Sequence, residues 1–211
     1  MLTVHHLNNS RSQRILWLLE ELELDYNLKC YQREASTNLA PPELEVVHPL
    51  GKSPIVTDGN NTIIESGAII DYILRRHGGG RLLPAPGTVE HEQYLQWLHY
   101  AEGSAMLPLM LRMYTSRLPD DGAALQPRID DELKRHLGYI NRALEGAEWF
   151  VGNRFSGADV QLSFVVEIAP LLHSLDHLPN LADFKERIHL RPAYQRALLK
   201  GGKYDFGPPG Q

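Results

Sequence analysis

The first 80 residues carry short apolar runs that alternate with apolar residues at helical spacing. Leu2 to Leu7 forms one run, and after a polar turn at residues 8–10 the apolar residues recur every three or four positions between Arg11 and Leu24. This pattern is typical of a strand followed by an amphipathic helix. The same reasoning predicts strands at 2–7, 25–30, 54–57 and 62–64 and helices at 11–24, 42–47 and 67–77. The βαβαββα order predicts a small mixed sheet with helices packed on it.

Glycine and proline residues separate this unit from the rest of the chain. Residues 78–88 begin with three glycines and contain Pro84 and Pro86, which predicts an interdomain linker. The remainder shows helical spacing alone, and the predicted helices lie at 90–117 with a bend at Pro108, 128–144, 156–175, 181–188 and 192–199. We therefore predict an α+β fold with a mixed-sheet domain at 1–77, the linker at 78–88, an all-helical domain at 89–200 and a flexible tail at 201–211.

Composition excludes several classes of protein. The 211 residues carry a formal net charge of -5, which argues against nucleic-acid binding because that needs a basic surface. The one cysteine, Cys30, rules out internal disulfides; we expect it to be buried in a strand. His173 and His177 are four residues apart but lack the His-Glu-x-x-His pattern, so we expect no metal. The apolar segment 160–175 is interrupted by polar residues and predicts a core helix rather than a membrane span, so we expect a cytoplasmic protein.

Pro54 opens a predicted strand and is the first candidate for chemistry. A proline at the first position of a strand is common because the missing N–H leaves no gap in the ladder. The alternative is a cis bond before Pro54, which turns the chain and exposes the backbone of Ile55 to an extended peptide ligand. Both interpretations stay open at this level.

Two predicted helices begin with polar groups that suit an anion. Glu65 and Ser66 precede the helix at 67–77, where Ser66 either caps the helix or, with Glu65, holds the charged ends of an amino acid. Ser10, Arg11 and Ser12 open the first helix, where hydroxyls, free amides and a guanidinium would stabilise a negative ligand. Ordinary N-capping accounts for either set alone. No histidine and acidic partner have the spacing of a Ser-His-Asp hydrolase.

The order of these parts resembles a cytosolic glutathione transferase over essentially the whole chain. The resemblance rests on the proline-opened third strand, Glu65-Ser66, the linker, and the run Phe155-Ser156-Gly157-Ala158-Asp159, which is similar to the helix-capping box of that family. Trp-Leu-Leu-Glu-Glu after the first loop, and Tyr100-Ala101-Glu102-Gly103-Ser104, look most like a branch found in bacteria and fungi. His48 replaces the asparagine of the usual Asn-Pro-x-Gly motif. The resemblance implies a thioredoxin-like N-terminal domain and an all-helical C-terminal domain.

The resemblance also implies a binding site for glutathione. Ser10 would face the glutathione sulfur, with Asn9 and Ser12 as rivals and Arg11 as an assisting cation. Lys52 would meet the glycyl carboxylate, the Ile55 backbone would pair with the cysteinyl unit, and the γ-glutamyl end would lie at Glu65 and Ser66. The complete implied glutathione-binding set is Lys52, Ser53, Pro54, Ile55, Glu65 and Ser66. Tyr100 and Tyr114 would either line the electrophile site or pack in the helical core. Glu102 would either reach glutathione across a homodimer interface or be an exposed helix carboxylate.

The chemistry implied by this resemblance is activation of a thiol. A thiol with a pKa near 8.5 is about 3% ionised at pH 7, and lowering the pKa by about two units needs about 2.7 kcal/mol. One hydrogen bond to the charged sulfur, at roughly 1.5–3 kcal/mol, and a helix N-terminus, at roughly 0.3–1 kcal/mol, supply that amount. The implied activity is glutathione conjugation to electrophiles or reduction of organic hydroperoxides, with glutathione as co-substrate. The alternative function is a glutathione-binding regulatory or scaffold protein with little turnover.

Overall fold

The computed structural model describes residues 1–209, and the chain divides into two compact units. The first unit combines Met1–Leu83 with the chain from His189 onward, and the second is Pro84–Ile188. The sequence assigned residues 189–200 to the helical domain, so the structure moves the end of that domain back by about one helix. The physical reason lies in the contacts of the last helix, described below.

A four-stranded mixed sheet forms the centre of the first unit. Its elements are β1 (Leu2–Leu7), α1 (Ser12–Glu21), β2 (Tyr26–Tyr31), α2 (Glu43–Val47), β3 (Ile55–Asp58), β4 (Asn61–Ile63) and α3 (Ser66–His77). The strand order is β2-β1-β3-β4. β1 runs parallel to β2 and antiparallel to β3, and β3 pairs antiparallel with β4. The predicted βαβαββα order and mixed sheet are confirmed, because the period of the apolar residues reflects which faces are buried.

The helix α9 (Pro192–Gly201) packs on α1 and closes the first unit. The Glu20 carboxylate, which is almost fully buried, accepts hydrogen bonds from Arg196 at 3.1 Å and Lys200 at 2.5 Å. Arg191 donates to the Glu21 carboxylate at 2.5 Å. These ion pairs join residues about 170 positions apart in the chain, so no local pattern in the sequence could reveal them.

The segment after α9 also contacts the first unit. Tyr204 is buried, and the Asp205 backbone N–H donates to the side chain of Asn9 at 2.8 Å. The sequence predicted a flexible tail at 201–211. In the structure Gly201 is the last residue of α9, and residues 202–209 continue from it with the contacts given above. The last two residues of the predicted tail, 210 and 211, lie outside the described residues.

The second unit is built from helices. They are α4 (Val89–Tyr100), α5 (Met106–Thr115), α6 (Gln126–Ala143), α7 (Gly157–Leu172) and α8 (Pro179–His189), and a wide π-helical turn at Ala101–Ala105 joins α4 to α5. The Met106 N–H donates to the Ala101 carbonyl five residues earlier. The regular α-helix is thus interrupted in the turn before Pro108, whose ring needs room at the carbonyl four residues before it.

The predicted capping box of α7 is present. Ser156 caps the helix and Asp159 accepts from the Ser156 backbone N–H at 2.8 Å. Burial raises the pKa of the Asp159 carboxyl to about 7, against the hydrogen bonds that lower it. Across residues 1–209, no helix has both the length and the apolar character that crossing a bilayer requires.

Candidate active site

The loop between β1 and α1 turns two serine hydroxyls into the protein. The Ser10 hydroxyl donates to the Leu7 carbonyl at 2.8 Å, or to the Ser12 oxygen at the same distance. Its oxygen accepts from the Ser12 backbone N–H at 3.1 Å. Ser10 is only 5% exposed. Ser10 therefore stabilises the turn that leads into α1, and its proton already has an acceptor within the protein.

Ser12 is fully buried and is hydrogen-bonded to His6. The Ser12 oxygen lies 2.8 Å from His6 Nδ1, and His6 Nε2 lies 3.1 Å from the Gly201 carbonyl. A carbonyl can only accept, so Nε2 carries the ring proton and Nδ1 accepts from the Ser12 hydroxyl. Burial lowers the pKa of His6 to about 4, so the ring is neutral at pH 7. The Ser12 proton is thus also taken.

Asn9 presents a different arrangement. Its backbone is left-handed, with φ of 50°, and its side chain is only partly buried. Nδ2 donates to an Asp205 carboxylate oxygen at 2.6 Å, and Oδ1 accepts from the Asp205 backbone N–H. A primary amide carries two hydrogens. The second Nδ2 hydrogen has no acceptor among residues 1–209.

Two guanidinium groups flank this loop. Arg33 donates from NH2 to the Asn9 carbonyl at 3.0 Å and from Nε to the Asn8 carbonyl at 3.1 Å. Burial, and after it the charge of Arg11, lower the pKa of Arg33. The start of α1 therefore combines a helix N-terminus with positive charge and suits an anion. Arg33 was missed in the sequence because it follows β2, far from the candidate loop along the chain.

The peptide bond before Pro54 is cis, as one of the two interpretations of this proline predicted. The Ser53 hydroxyl donates to the His5 carbonyl at 2.9 Å, and Ile55 pairs with His5 of β1. The pairing between β3 and β4 begins only at Val56. The backbone beside Ile55 therefore has no paired residue on its β4 side in the described chain, and an extended ligand could pair there. Lys52, two residues before Pro54, is exposed.

The start of α3 is joined to α1 by a buried hydrogen bond. Arg14 NH2 donates to the Ser66 hydroxyl oxygen at 2.6 Å, and both residues are buried. Glu65, just before the helix, is exposed and has a left-handed φ of 64°. A non-glycine residue in that region costs roughly 1–3 kcal/mol and is common at ligand sites. The cation and the helix N-terminus together favour a bound carboxylate.

The structure thus brings together most of the predicted glutathione-site residues in the first unit. The loop at residues 9–12 follows β1, the cis-Pro54 strand pairs with β1, and Ser66 is tied to α1 through Arg14. Asp205 was missed by the sequence reasoning, since its contact with Asn9 spans 196 positions. No local signal could have identified it.

The predicted electrophile residues lie in the second unit. Tyr100 is partly buried and its hydroxyl lies 2.7 Å from His136 Nδ1. It lines a cavity of about 490 Å³ together with Trp97 and Tyr139. Tyr114 is 54% exposed and is not among the residues that line this cavity. Glu102 lies in the π-helical turn and is partly buried.

Cys30 corrects one expectation from the sequence. It was expected to be a small core residue, but the structure leaves it exposed on β2. β2 lies at the edge of the sheet, where β1 is its one neighbouring strand in the described chain. Among the described residues, no group of three or more His, Cys, Asp or Glu side chains could hold a metal ion.

Comparison with known proteins gives a consistent result. A family model of the glutathione S-transferase N-terminal domain matches residues 1–75, and one of the C-terminal domain matches residues 110–196. The chain is 35% identical over 183 residues to glutathione S-transferase 3 of Schizosaccharomyces pombe, covering 79% of this chain and 73% of that protein. It is 31% identical over 190 residues to glutathione S-transferase 1 of Saccharomyces cerevisiae, covering 80% and 81%.

The structural comparison agrees with the sequence comparison. A crystal structure of a glutathione S-transferase from Actinobacillus pleuropneumoniae is similar to the chain with a TM-score of 0.90 and 35% identity. The match covers 98% of this chain and 95% of that one.

Proposed function

Because this chain belongs to the glutathione S-transferase family, we propose that it binds glutathione in its first unit and joins the intact glutathionyl group, through its sulfur, to electrophilic small molecules. The observation that carries the proposal is the meeting of three elements in that unit. These are the start of α1, the cis-Pro54 strand and the start of α3, linked by the Ser53–His5 and Arg14–Ser66 hydrogen bonds.

Each part of the tripeptide has a chemically matched partner in this proposal. The γ-glutamyl carboxylate lies at Ser66, where the Arg14 guanidinium and the N-terminus of α3 add positive charge, and Glu65 takes the ammonium. The cysteinyl backbone pairs with Ile55 beside cis-Pro54. The exposed ammonium of Lys52 meets the glycyl carboxylate.

The contacts of the α1 loop favour Asn9 over Ser10 and Ser12 as the side chain that donates to the sulfur. The two serine protons already have acceptors inside the protein, whereas one Asn9 amide hydrogen has none within residues 1–209. Donating to a charged sulfur contributes roughly 1.5–3 kcal/mol. Arg11, Arg33 and the helix N-terminus add to this because they lie at the same loop.

Asn9→Ala is expected to raise the pKa of the bound glutathione thiol by about one unit, which leaves about tenfold less thiolate at pH 6. The reason is loss of one donor to the ionised sulfur. The thiolate absorbance of the complex, titrated against pH, measures this pKa. We expect kcat/KM to fall about tenfold at pH 6, with the Kd of glutathione changed little.

Ser10→Ala and Ser12→Ala are the comparison variants for this titration. We expect neither to raise the thiol pKa as far as Asn9→Ala does, although both should lower stability because each removes buried hydrogen bonds. A raised thiol pKa in Ser10→Ala together with an unchanged one in Asn9→Ala would return the sulfur role to Ser10.

Ser66→Ala is expected to weaken glutathione binding about tenfold without changing the pKa of the bound thiol, because a hydrogen bond to a charged group contributes roughly 1.5–3 kcal/mol. Isothermal titration calorimetry measures the Kd. Ser163→Ala is the matched control: it removes a buried serine that donates to the Val160 carbonyl at 2.9 Å within α7. Equal losses of affinity in the two variants would contradict the assignment of Ser66.

Turnover separates this proposal from its alternative, a glutathione-binding regulatory or scaffold protein. We expect the purified chain to be retained on immobilised glutathione, to conjugate an aryl halide and to reduce an organic hydroperoxide. The aromatic cavity beside Tyr100 is our candidate for holding the aryl group. Retention with no turnover of either substrate would support the alternative. Absence of both retention and turnover would refute glutathione binding.

A further inference from the structure

Asn9 and Asp205 form a reciprocal pair of hydrogen bonds. Asn9 Nδ2 donates to Asp205 Oδ2 at 2.6 Å, and the Asp205 backbone N–H donates to Asn9 Oδ1 at 2.8 Å. A backbone N–H can only donate, and a carboxylate can only accept. The pair is therefore satisfied in one orientation of the Asn9 amide, with the oxygen toward the backbone and the nitrogen toward the carboxylate.

Contacts of Asp205 and of its neighbours in the chain hold this residue in place. Its backbone follows α9, whose last residue, Gly201, accepts a hydrogen bond from the buried His6. The neighbouring Tyr204 is buried and contacts Phe206 edge to face, with ring centroids 5.3 Å apart. Lys203 lies 3.1 Å from the second Asp205 carboxylate oxygen. One Asp205 carboxylate oxygen thus forms an ion pair with the Lys203 ammonium, and the other accepts a hydrogen bond from the Asn9 amide.

We propose that Asp205 is a positioning residue, which holds the Asn9 amide so that its remaining hydrogen, rather than its oxygen, faces the glutathione sulfur. The inference rests on the proposed function, in which Asn9 donates to that sulfur. A flipped amide would turn oxygen lone pairs toward an ionised sulfur and repel it. The orientation of the Asn9 amide is thus set by a residue that follows α9. Nothing in the local sequence of the α1 loop encodes this contact.

The negative charge of Asp205 is not the useful property in this proposal. A carboxylate close to a thiolate repels it, and Lys203 offsets that charge. The orientation of the Asn9 amide depends only on an acceptor in the side chain at position 205 and on the backbone N–H of the same residue. A neutral side chain with the same acceptor geometry should therefore replace the aspartate.

The test compares Asp205→Ala with Asp205→Asn in the full chain. Asp205→Ala is expected to leave about tenfold less thiolate at pH 6 in the glutathione complex, to lower kcat rather than raise KM for the electrophile, and to keep the Kd of glutathione. Asp205→Asn retains an acceptor oxygen and should restore the thiolate fraction to within about twofold of the parent chain, since the thiol pKa is then nearly unchanged. Asp176→Ala is the matched control, because Asp176 is also exposed and accepts from Ser174 at 2.7 Å.

The outcomes separate this inference from the function on which it rests. An unchanged thiol pKa in Asp205→Ala, where Asn9→Ala raises it, would overturn the positioning role and leave Asn9 as the donor. Unchanged values in both variants would overturn the assignment of Asn9 as well. If Asp205→Asn fails as badly as Asp205→Ala, charge rather than orientation matters and the inference is wrong.

The NMR signals of the Asn9 side-chain amide give a second readout: we expect its protons to shift in Asp205→Ala but to keep nearly their parent positions in Asp205→Asn.

Discussion

Replacing Asp159 by alanine is expected to lower the free energy of unfolding by about 3–5 kcal/mol. The fully buried carboxylate accepts three hydrogen bonds, from the Phe150 N–H at 3.1 Å, the Ser156 N–H at 2.8 Å and the Ser156 hydroxyl at 3.0 Å. Alanine leaves two backbone donors buried without their acceptor. Each such group costs roughly 1–3 kcal/mol, and a lost helix cap costs roughly 0.5–2 kcal/mol.

The position of Asp159 explains why the loss should affect the whole second unit. α7 contacts both α4 and α5, and most of its residues are buried. Urea unfolding, followed by far-UV circular dichroism and tryptophan fluorescence, measures the change. Asp183→Ala, an exposed aspartate on α8, is the control, and its effect should stay within about 0.5 kcal/mol. A loss below about 1 kcal/mol in Asp159→Ala would show that the box does not hold α7 in place.

Acidification from pH 7 to pH 4 is expected to remove about 3 kcal/mol of stability through His6 alone. Burial lowers the pKa of His6 from 6.5 to about 4 in the folded chain. The unfolded state therefore binds the proton first as the pH falls. The contribution of His6 is complete above pH 6.5 and is lost as the pH falls towards the folded pKa of about 4. Structurally, a proton on Nδ1 would face the Ser12 hydroxyl oxygen and force it to stop donating.

The comparison with His6→Gln isolates this effect. Glutamine stays uncharged and keeps a donor for the Gly201 carbonyl, so the variant should lose less stability than the parent chain between pH 7 and pH 4. Asp159 acts in the opposite direction, because its folded pKa of about 7 lies above its ordinary value and its contribution is lost as the pH rises. That effect is common to both proteins and cancels in their difference. Parallel stability curves for parent and variant would rule out the buried neutral His6.

Local periodicity determined the elements of this protein. The residues Ile15, Leu18 and Leu19 of α1, and Leu22 just after it, are all fully or almost fully buried, as their helical spacing predicts. The capping box at Ser156 was also visible in the sequence, because its two partners, Ser156 and Asp159, lie close together along the chain. Helical periodicity and capping boxes depend only on residues that are close along the chain. They are therefore the same in any fold that buries the same face of the helix.

Long-range packing decided the details of the candidate site. The family resemblance implied Ser10 as the residue facing the sulfur, with Asn9 and Ser12 as rivals. The contacts of the Ser10 hydroxyl with Leu7 and Ser12 direct our proposal to Asn9. The wide turn at 101–105, which precedes Pro108, was likewise not predicted from the sequence.

The sequence by itself therefore determined the two kinds of unit, the order of their strands and helices, and the loops that hold polar groups at helix starts. Only the tertiary structure decided that α9 belongs with the first unit and that Asp205 meets Asn9 across 196 positions. The physical reason is that secondary structure follows from which neighbours share a face. The direction of a side-chain hydrogen bond, by contrast, depends on partners that only the folded chain brings together.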